Sequence, residues 1–181
     1  MTERILIYGI GGQGVQAMAK MISEAASTDG KEVVYTTSYG GQKRGGASLA
    51  NVIISDKHIG APMIIPGEMS TVVVLEDAGM DLYESYLKPG GMLMINSSMV
   101  TKKPTRTDVK VVYVDIMGLA QKVGNERTFN MVALGALVKL TGMTALETVL
   151  EQLKVVFTGR KAKLVPVNEE AIKAGYENAG N

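Results

Sequence analysis

There is no cysteine in these 181 residues. That excludes disulfides, thiolate zinc sites and iron–sulfur clusters held by this chain. The single histidine, His58, cannot build a multi-histidine metal site. Redox chemistry here therefore needs a cofactor or a partner. Tryptophan is absent and there are two phenylalanines, so the apolar content rests on aliphatic residues and 12 methionines, read as core and interface filler. Neither sign of charge dominates: the net charge is +1, and no global field recruits nucleic acid or membrane. No apolar run approaches the roughly 20 residues of a membrane span. The stretch MTERILIYG lacks the basic, apolar and small-residue pattern of a secretion leader, so the expected location is the cytoplasm. The length fits one domain with a full core and no staples.

The residues that are present alternate between strand and helix patterns. Arg4–Tyr8 reads as a buried strand, followed by a glycine cluster. Val15, Met18, Ala19, Ile22 and Ala26 then repeat at helical spacing, with Gly30 as the stop. Lys31–Thr36 is a second strand, which a helical crossover makes parallel to the first. The connection TSYGGQKRGG has no helical period, so the next strand, Ala47–Ser55, is expected to run antiparallel to its neighbour. Thr71–Leu75, Met92–Asn96 and Val111–Val114 read as further strands, with a short helix near Asp77–Leu87 ahead of KPGG. The remainder is helical. Residues 116–123 form one helix, and Thr128–Thr141 is apolar nearly all round, which places it in the core or against another subunit. Thr144–Phe157 is amphipathic, with Thr144 and Glu147 spaced as a capping box. Asn168–Tyr176 is the last helix. The expected fold class is α/β: a single three-layer α/β/α domain, its sheet mostly parallel with one antiparallel strand, its C-terminal third helical.

Gly9, Gly11 and Gly14 match G-x-G-x-x-G, after a strand and opening a helix. Glycines permit a tight turn and close backbone approach, and the helix N-terminus offers free N–H groups to an anion. With Gly12 and Gln13 they form a candidate phosphate-binding turn; a turn that merely packs is the competing reading. Nicotinamide binding also wants an acidic residue at the tip of the second strand. That tip is Tyr35, Thr36, Thr37 and Ser38, which argues against NAD. Ser38, Tyr39, Gly40, Lys43 and Arg44 belong to the second glycine-rich stretch, whose cations and backbone donors suit a phosphate or a carboxylate. In a parallel sheet both stretches lie at the carboxyl edge, where ligands bind. A solvated loop that folds against a partner is the alternative.

The ordered set GIGGQGV, SYGGQKRGG, NVIIS, LKPGGMLMINSS and NMVALGAL, from Arg4 to Tyr176, resembles the gamma subunit of the 2-oxoacid:ferredoxin oxidoreductases. GGQK leans toward the related indolepyruvate oxidoreductase beta subunit. The resemblance implies that 1–181 is one gamma-type domain of a multisubunit enzyme. That enzyme decarboxylates a 2-oxoacid, forms acyl-coenzyme A and passes two electrons to ferredoxin. It implies alpha, beta and ferredoxin-like delta partner subunits that hold thiamine diphosphate, magnesium and the iron–sulfur clusters, and a homodimer for the isolated chain. The chain itself would carry no catalytic residue and no metal. Its glycine turn, Lys43 and Arg44 would hold phosphates of coenzyme A, with the gain in positioning. A free-standing dinucleotide enzyme and a methyltransferase, the latter prompted by LKPGGMLMI, are the rivals.

Other residues carry weaker signals. Asn130, in an apolar helix and with Arg127 and Thr128 near a helix start, either caps that start or has a ligand or interface role. His58 reads as a surface residue. Glu76 and Asp77 follow the strongest strand, where compensation of a helix N-terminus competes with a ligand contact. Asn96, Ser97 and Ser98 end the next strand and either line a pocket or cap a turn. Lys102, Lys103 and Arg106 read as a solvated basic loop.

Overall fold

The computed structural model describes residues 1–40, 45–60 and 62–180. Strand β1 (Thr2–Ile10) buries Ile5 and Ile7 on one face and Leu6 and Tyr8 on the other, as a central strand must. Helix α1 (Val15–Thr28) follows, and Gly30, with φ +79°, ends it where the sequence predicts. Strand β2 (Glu32–Tyr39) runs three residues past its predicted end and leads into the glycine-rich connection. Strand β3 (Ala47–Ser55) has the predicted bounds. Strands β2 and β3 pair antiparallel, and β3 then pairs antiparallel with β1.

Strands β4 (Met69–Val74), β5 (Leu87–Asn96) and β6 (Lys110–Val114) extend the sheet from the other side of β1, all parallel. The order is β2-β3-β1-β4-β5-β6, and only β3 opposes the common direction. Strand β5 starts earlier than the predicted Met92. Leu87 pairs with Met69, and the register shifts before Thr71, which pairs with Met92. Gly90, at φ +71°, lies within this irregular part of the strand.

Helix α2 (Ala78–Tyr83) and a 3-10 turn, Glu84–Tyr86, cover one sheet face, where Tyr8, Met80, Leu87 and Leu93 pack together. Helices α1, α3 (Ile116–Lys122), α4 (Phe129–Thr141), α5 (Leu146–Val156) and α6 (Val165–Asn178) share the core of the other face. This is the three-layer α/β/α arrangement with a helical C-terminal third. Among the described residues no helix is long and apolar enough to cross a membrane.

Of the two places open to the apolar helix, the structure puts α4 in the core: Met131–Val138 are all buried. It crosses α6 at two glycines. A Cβ on Gly135 would lie 1.9 Å from the Ile172 carbonyl oxygen, and one on Gly175 would lie 1.9 Å from that of Val132. The backbones touch because nothing stands between them.

The expected capping box at α5 does not form. Thr144 Oγ1 donates to Asp29 Oδ2 at 2.6 Å, and the same carboxylate accepts from the Ala145 amide and Thr148 Oγ1. Asp29, just past the end of α1, therefore caps α5 from outside. Burial opposes its ionisation, and the bonds from Thr144, Thr148 and the Ala145 amide outweigh it, so its pKa lies below the usual value.

Asp56 closes the opposite end of the sheet. Its carboxylate accepts from Lys31 Nζ and, at 2.6 Å, from the Met1 amino group, which lowers its pKa from 3.8 to about 2. Because the folded value is depressed, the ionised pair stabilises the fold fully above pH 3.8, and that contribution is lost as pH falls through about 2. Wild-type stability should therefore decline more steeply than that of Asp56→Asn between those values, as read by denaturant melts across the range. Parallel declines would remove Asp56 as a cause of acid sensitivity.

Candidate functional site

The glycine turn sits at the carboxyl edge of β1. Gly14, at φ +72°, occupies the N-cap of α1. The Gln13 side chain folds back under the turn: Oε1 accepts from the Ile10 amide at 2.9 Å and Nε2 donates to Glu76 Oε1 at 2.6 Å. Position 9 must be bare for this, since a Cβ on Gly9 would stand 2.5 Å from Gln13 Oε1. The sheet side of the turn is thus filled by the chain itself. The open side holds a cleft of about 200 Å³, lined by Gly12, Gln13, Met99, Arg127, Phe129 and Asn130 among others.

The two glycine-rich stretches meet. The Gly11 amide donates to the Gly46 carbonyl at 2.8 Å, and Gly40 donates to Ala47 at 2.8 Å. Ser38 is exposed at the end of β2, and Tyr39 and Gly40 follow it. Lys43 and Arg44 lie outside the described residues. Asn130, in the first turn of α4, packs its side chain against Gly14, where a Cβ would come within 2.5 Å of Nδ2. It is half-buried, and its side chain makes no hydrogen bond among the described residues.

Gly14→Ala therefore meets two obstacles, the left-handed backbone and the Asn130 amide. Gly30→Ala, at φ +79° with open space around it, meets only the first. The backbone penalty is about 1–2 kcal/mol for each. Thermal melts should show Gly14→Ala as the more destabilising. Equal shifts would show that Asn130 yields freely.

Arg127 is the cation of this cleft, and the sequence reading passed over it as part of a helix start. Its amide is held by Asn125 Oδ1 at 3.1 Å, while its guanidinium has no acidic partner among the described residues. Glu126, also at the cleft, accepts from Gln121 Nε2.

The neighbouring polar residues have structural partners. Asp77 accepts from the Lys102 amide and from the Thr101 hydroxyl and amide, which lowers its pKa and ties the segment after β5 to α2. Asn96 is fully buried and accepts from Ser98, whose hydroxyl also reaches Asp115 at 2.9 Å; it caps the strand end. The loop read as solvated and basic is largely paired, Lys102 with Asp81 and Arg106 with Asp108 and the Leu87 carbonyl. His58 is exposed beside Glu32, at 3.0 Å.

A family model described as pyruvate ferredoxin/flavodoxin oxidoreductase matches residues 4–178. The 2-oxoglutarate synthase subunit KorC of Methanocaldococcus jannaschii is 33% identical over 183 residues, covering 99% of this chain and 95% of the relative. The ketoisovalerate oxidoreductase subunit VorA of Methanothermobacter thermautotrophicus is 31% identical over 176 residues, but this chain spans only 36% of its length. Among solved structures, the gamma subunit of a keto/oxoacid ferredoxin oxidoreductase from Geobacter sulfurreducens superposes with a TM-score of 0.81 at 34% identity, covering 97% of this chain and 96% of that one. A 2-oxoglutarate:ferredoxin oxidoreductase from Magnetococcus marinus, solved with 2-oxoglutarate, coenzyme A and succinyl-CoA, shares the fold at a TM-score of 0.87 and 21% identity. The match covers 97% of this chain and 30% of that one.

Proposed function

Because the chain belongs to the pyruvate ferredoxin/flavodoxin oxidoreductase family, we propose that residues 1–181 form the gamma subunit of a cytoplasmic 2-oxoacid:ferredoxin oxidoreductase and supply its coenzyme A side. The reaction joins a 2-oxoacid and coenzyme A into acyl-coenzyme A and carbon dioxide, and delivers two electrons to ferredoxin. With no cysteine, this chain holds no electron path of its own. Thiamine diphosphate, magnesium and the iron–sulfur clusters belong, on this reading, to the alpha, beta and delta partners.

The observation that carries the proposal is the meeting of the two glycine-rich stretches at one sheet edge, beside Arg127 and Asn130. The donor set fits a phosphorylated carrier. The turn presents backbone amides at a helix N-terminus, and Arg127 brings a cation with no acidic partner among the described residues. Glu76 is engaged by Gln13, and Glu126 by Gln121. The relative solved with coenzyme A shares this fold and supports the assignment. The chain's part is positional: fixing the phosphates holds the free thiol end toward chemistry housed in the partners.

Calorimetric titration of the assembled complex with coenzyme A tests this. Charge-assisted hydrogen bonds contribute about 1.5–3 kcal/mol each. Lys43→Ala/Arg44→Ala should therefore weaken binding by about two orders of magnitude, and Arg127→Ala by about tenfold. Unchanged affinity in both variants would overturn the proposal.

A further inference from the structure

The sheet ends in two unlike edges. Strand β6 closes one side: it is five residues long and opens on Lys110, a short and charged edge of the kind that resists further pairing. Strand β2 closes the other. It has eight residues, EVVYTTSY, with an unbroken register against β3, no proline and no charge after Glu32. Glu32 itself is engaged, by the Ile59 amide at 3.1 Å and by His58 at 3.0 Å. Among the described residues no strand pairs with the outer side of β2.

The ladder pattern tells which groups that outer side presents. Hydrogen-bonded pairs alternate along an antiparallel ladder. The Gly40 amide donates to Ala47, its opposite number in the register, so the alternate positions Ser38, Thr36 and Val34 bond to β3. The bond from Gly11 to Gly46 fixes the same alternation independently, because it assigns the even-numbered residues of β3 to β1. Val33, Tyr35 and Thr37 therefore turn their amides and carbonyls outward. Tyr35 is 43% exposed, and Thr37 is exposed. A row of free backbone groups between such side chains is a template for one more strand.

The occupant that fits is a second copy of this chain. Two β2 strands related by a two-fold axis through the sheet run antiparallel, and each outward residue meets an outward residue. With Thr36 on the axis, Tyr35 faces Thr37 of the second copy, an aromatic against a β-branched side chain, and the pair occurs twice. Glu32 falls opposite Gly40, so the two carboxylates lie at opposite ends of the joint and no like charges meet. The helix layer closes too. Helix α1 packs on both β2 and β3, so the axis sets the two α1 helices roughly two strand spacings apart, about 10 Å, which is a helix-packing distance. We propose that the β2 edges of two copies join about Thr36 into one continuous sheet. The proposal uses nothing from the coenzyme A reading.

Light scattering tests it on the full chain over a wide range of concentration. Wild type should show the mass of a dimer, falling toward the monomer on dilution. Thr37→Pro removes an outward amide and no bond to β3, and should raise the concentration needed for dimers by at least about tenfold. Tyr35→Lys keeps every backbone bond and sets two cations near the axis; it should act the same way, so the test survives a Thr37→Pro chain that does not fold. The lack of cysteine adds a second readout. Thr36→Cys brings two thiols together at a non-hydrogen-bonded pair, with Cα atoms about 4.5 Å apart and within reach of a disulfide. Oxidised glutathione, as electron acceptor, should then yield a covalent dimer, whereas Leu82→Cys, exposed on α2, should not. A wild type that is monomeric at every concentration overturns the proposal. So does a dimer that both edge variants leave intact at wild-type melting temperature, or equal cross-linking at the two cysteine positions. Unchanged coenzyme A affinity in Lys43→Ala/Arg44→Ala would sink the functional reading and leave the dimer untouched, so the two failures are distinguishable.

Discussion

Gly135→Ala and Gly175→Ala are each expected to destabilise the protein by about 3 kcal/mol, seen as a fall of roughly 10 °C in melting temperature. Alanine in a helix interior gains about 1 kcal/mol of propensity over glycine, so the direction has to be argued. Each added methyl would lie 1.9 Å from a backbone oxygen of the facing helix. A backbone atom has no rotamer to escape into, so α4 and α6 must separate. Separation opens a gap beside Val132 and Ile172, both fully buried, and forfeits their contacts. The packing loss outweighs the propensity gain. Once the helices have moved apart for one methyl, the second meets less resistance, so the double variant should cost less than the sum of the singles. Gly60→Ala, with open space and ordinary φ, serves as the control and should stay within about 0.5 kcal/mol of wild type. Melts in which all three alanines behave alike would rule out the glycine crossing as a lock.

Asn51→Val is expected to act in the opposite direction and stabilise by about 2 kcal/mol. Asn51 sits in β3 opposite Leu6 of β1 and Thr36 of β2 and is 1% exposed. Neither Nδ2 nor Oδ1 has a hydrogen-bond partner among the described residues. A buried amide left unpaired costs about 1–3 kcal/mol, and valine removes that cost while favouring the strand. The readout is a rise of several degrees in melting temperature. Asn51→Asp should fall sharply, because a carboxylate at the same place is worse solvated than the amide. A drop in melting temperature for Asn51→Val would mean that the amide is satisfied after all.

What could be read in the sequence was local. The strand, glycine turn and helix at the start follow from spacing over about thirty residues. The antiparallel placing of β3 follows from the lack of a helical period in TSYGGQKRGG. What could not be read depended on distant partners. Thr144 and Glu147 have capping-box spacing, yet Asp29, 115 residues from Thr144, takes the hydroxyl. The all-apolar pattern of α4 was compatible with the core or with another subunit. Gly135 inside that helix and Gly175 in α6 were visible signs of a close crossing that went unused. Arg127 was in view beside Asn130, but as part of a helix start, because nothing in the linear order says that Gly12 and Arg127 share a cleft.

The insertion of β3 between β1 and β2 bears on how the chain is made. Residues 1–55 contain three adjacent strands and α1, so that unit can assemble at the ribosome before β4 is synthesised. The outer surface of α1, however, packs on α4 and α5, which come from the far end of the chain. Until residues 129–156 emerge, the nascent unit carries an oily, uncovered helix, and a truncated product ending near residue 60 would clump rather than circulate as a soluble fragment.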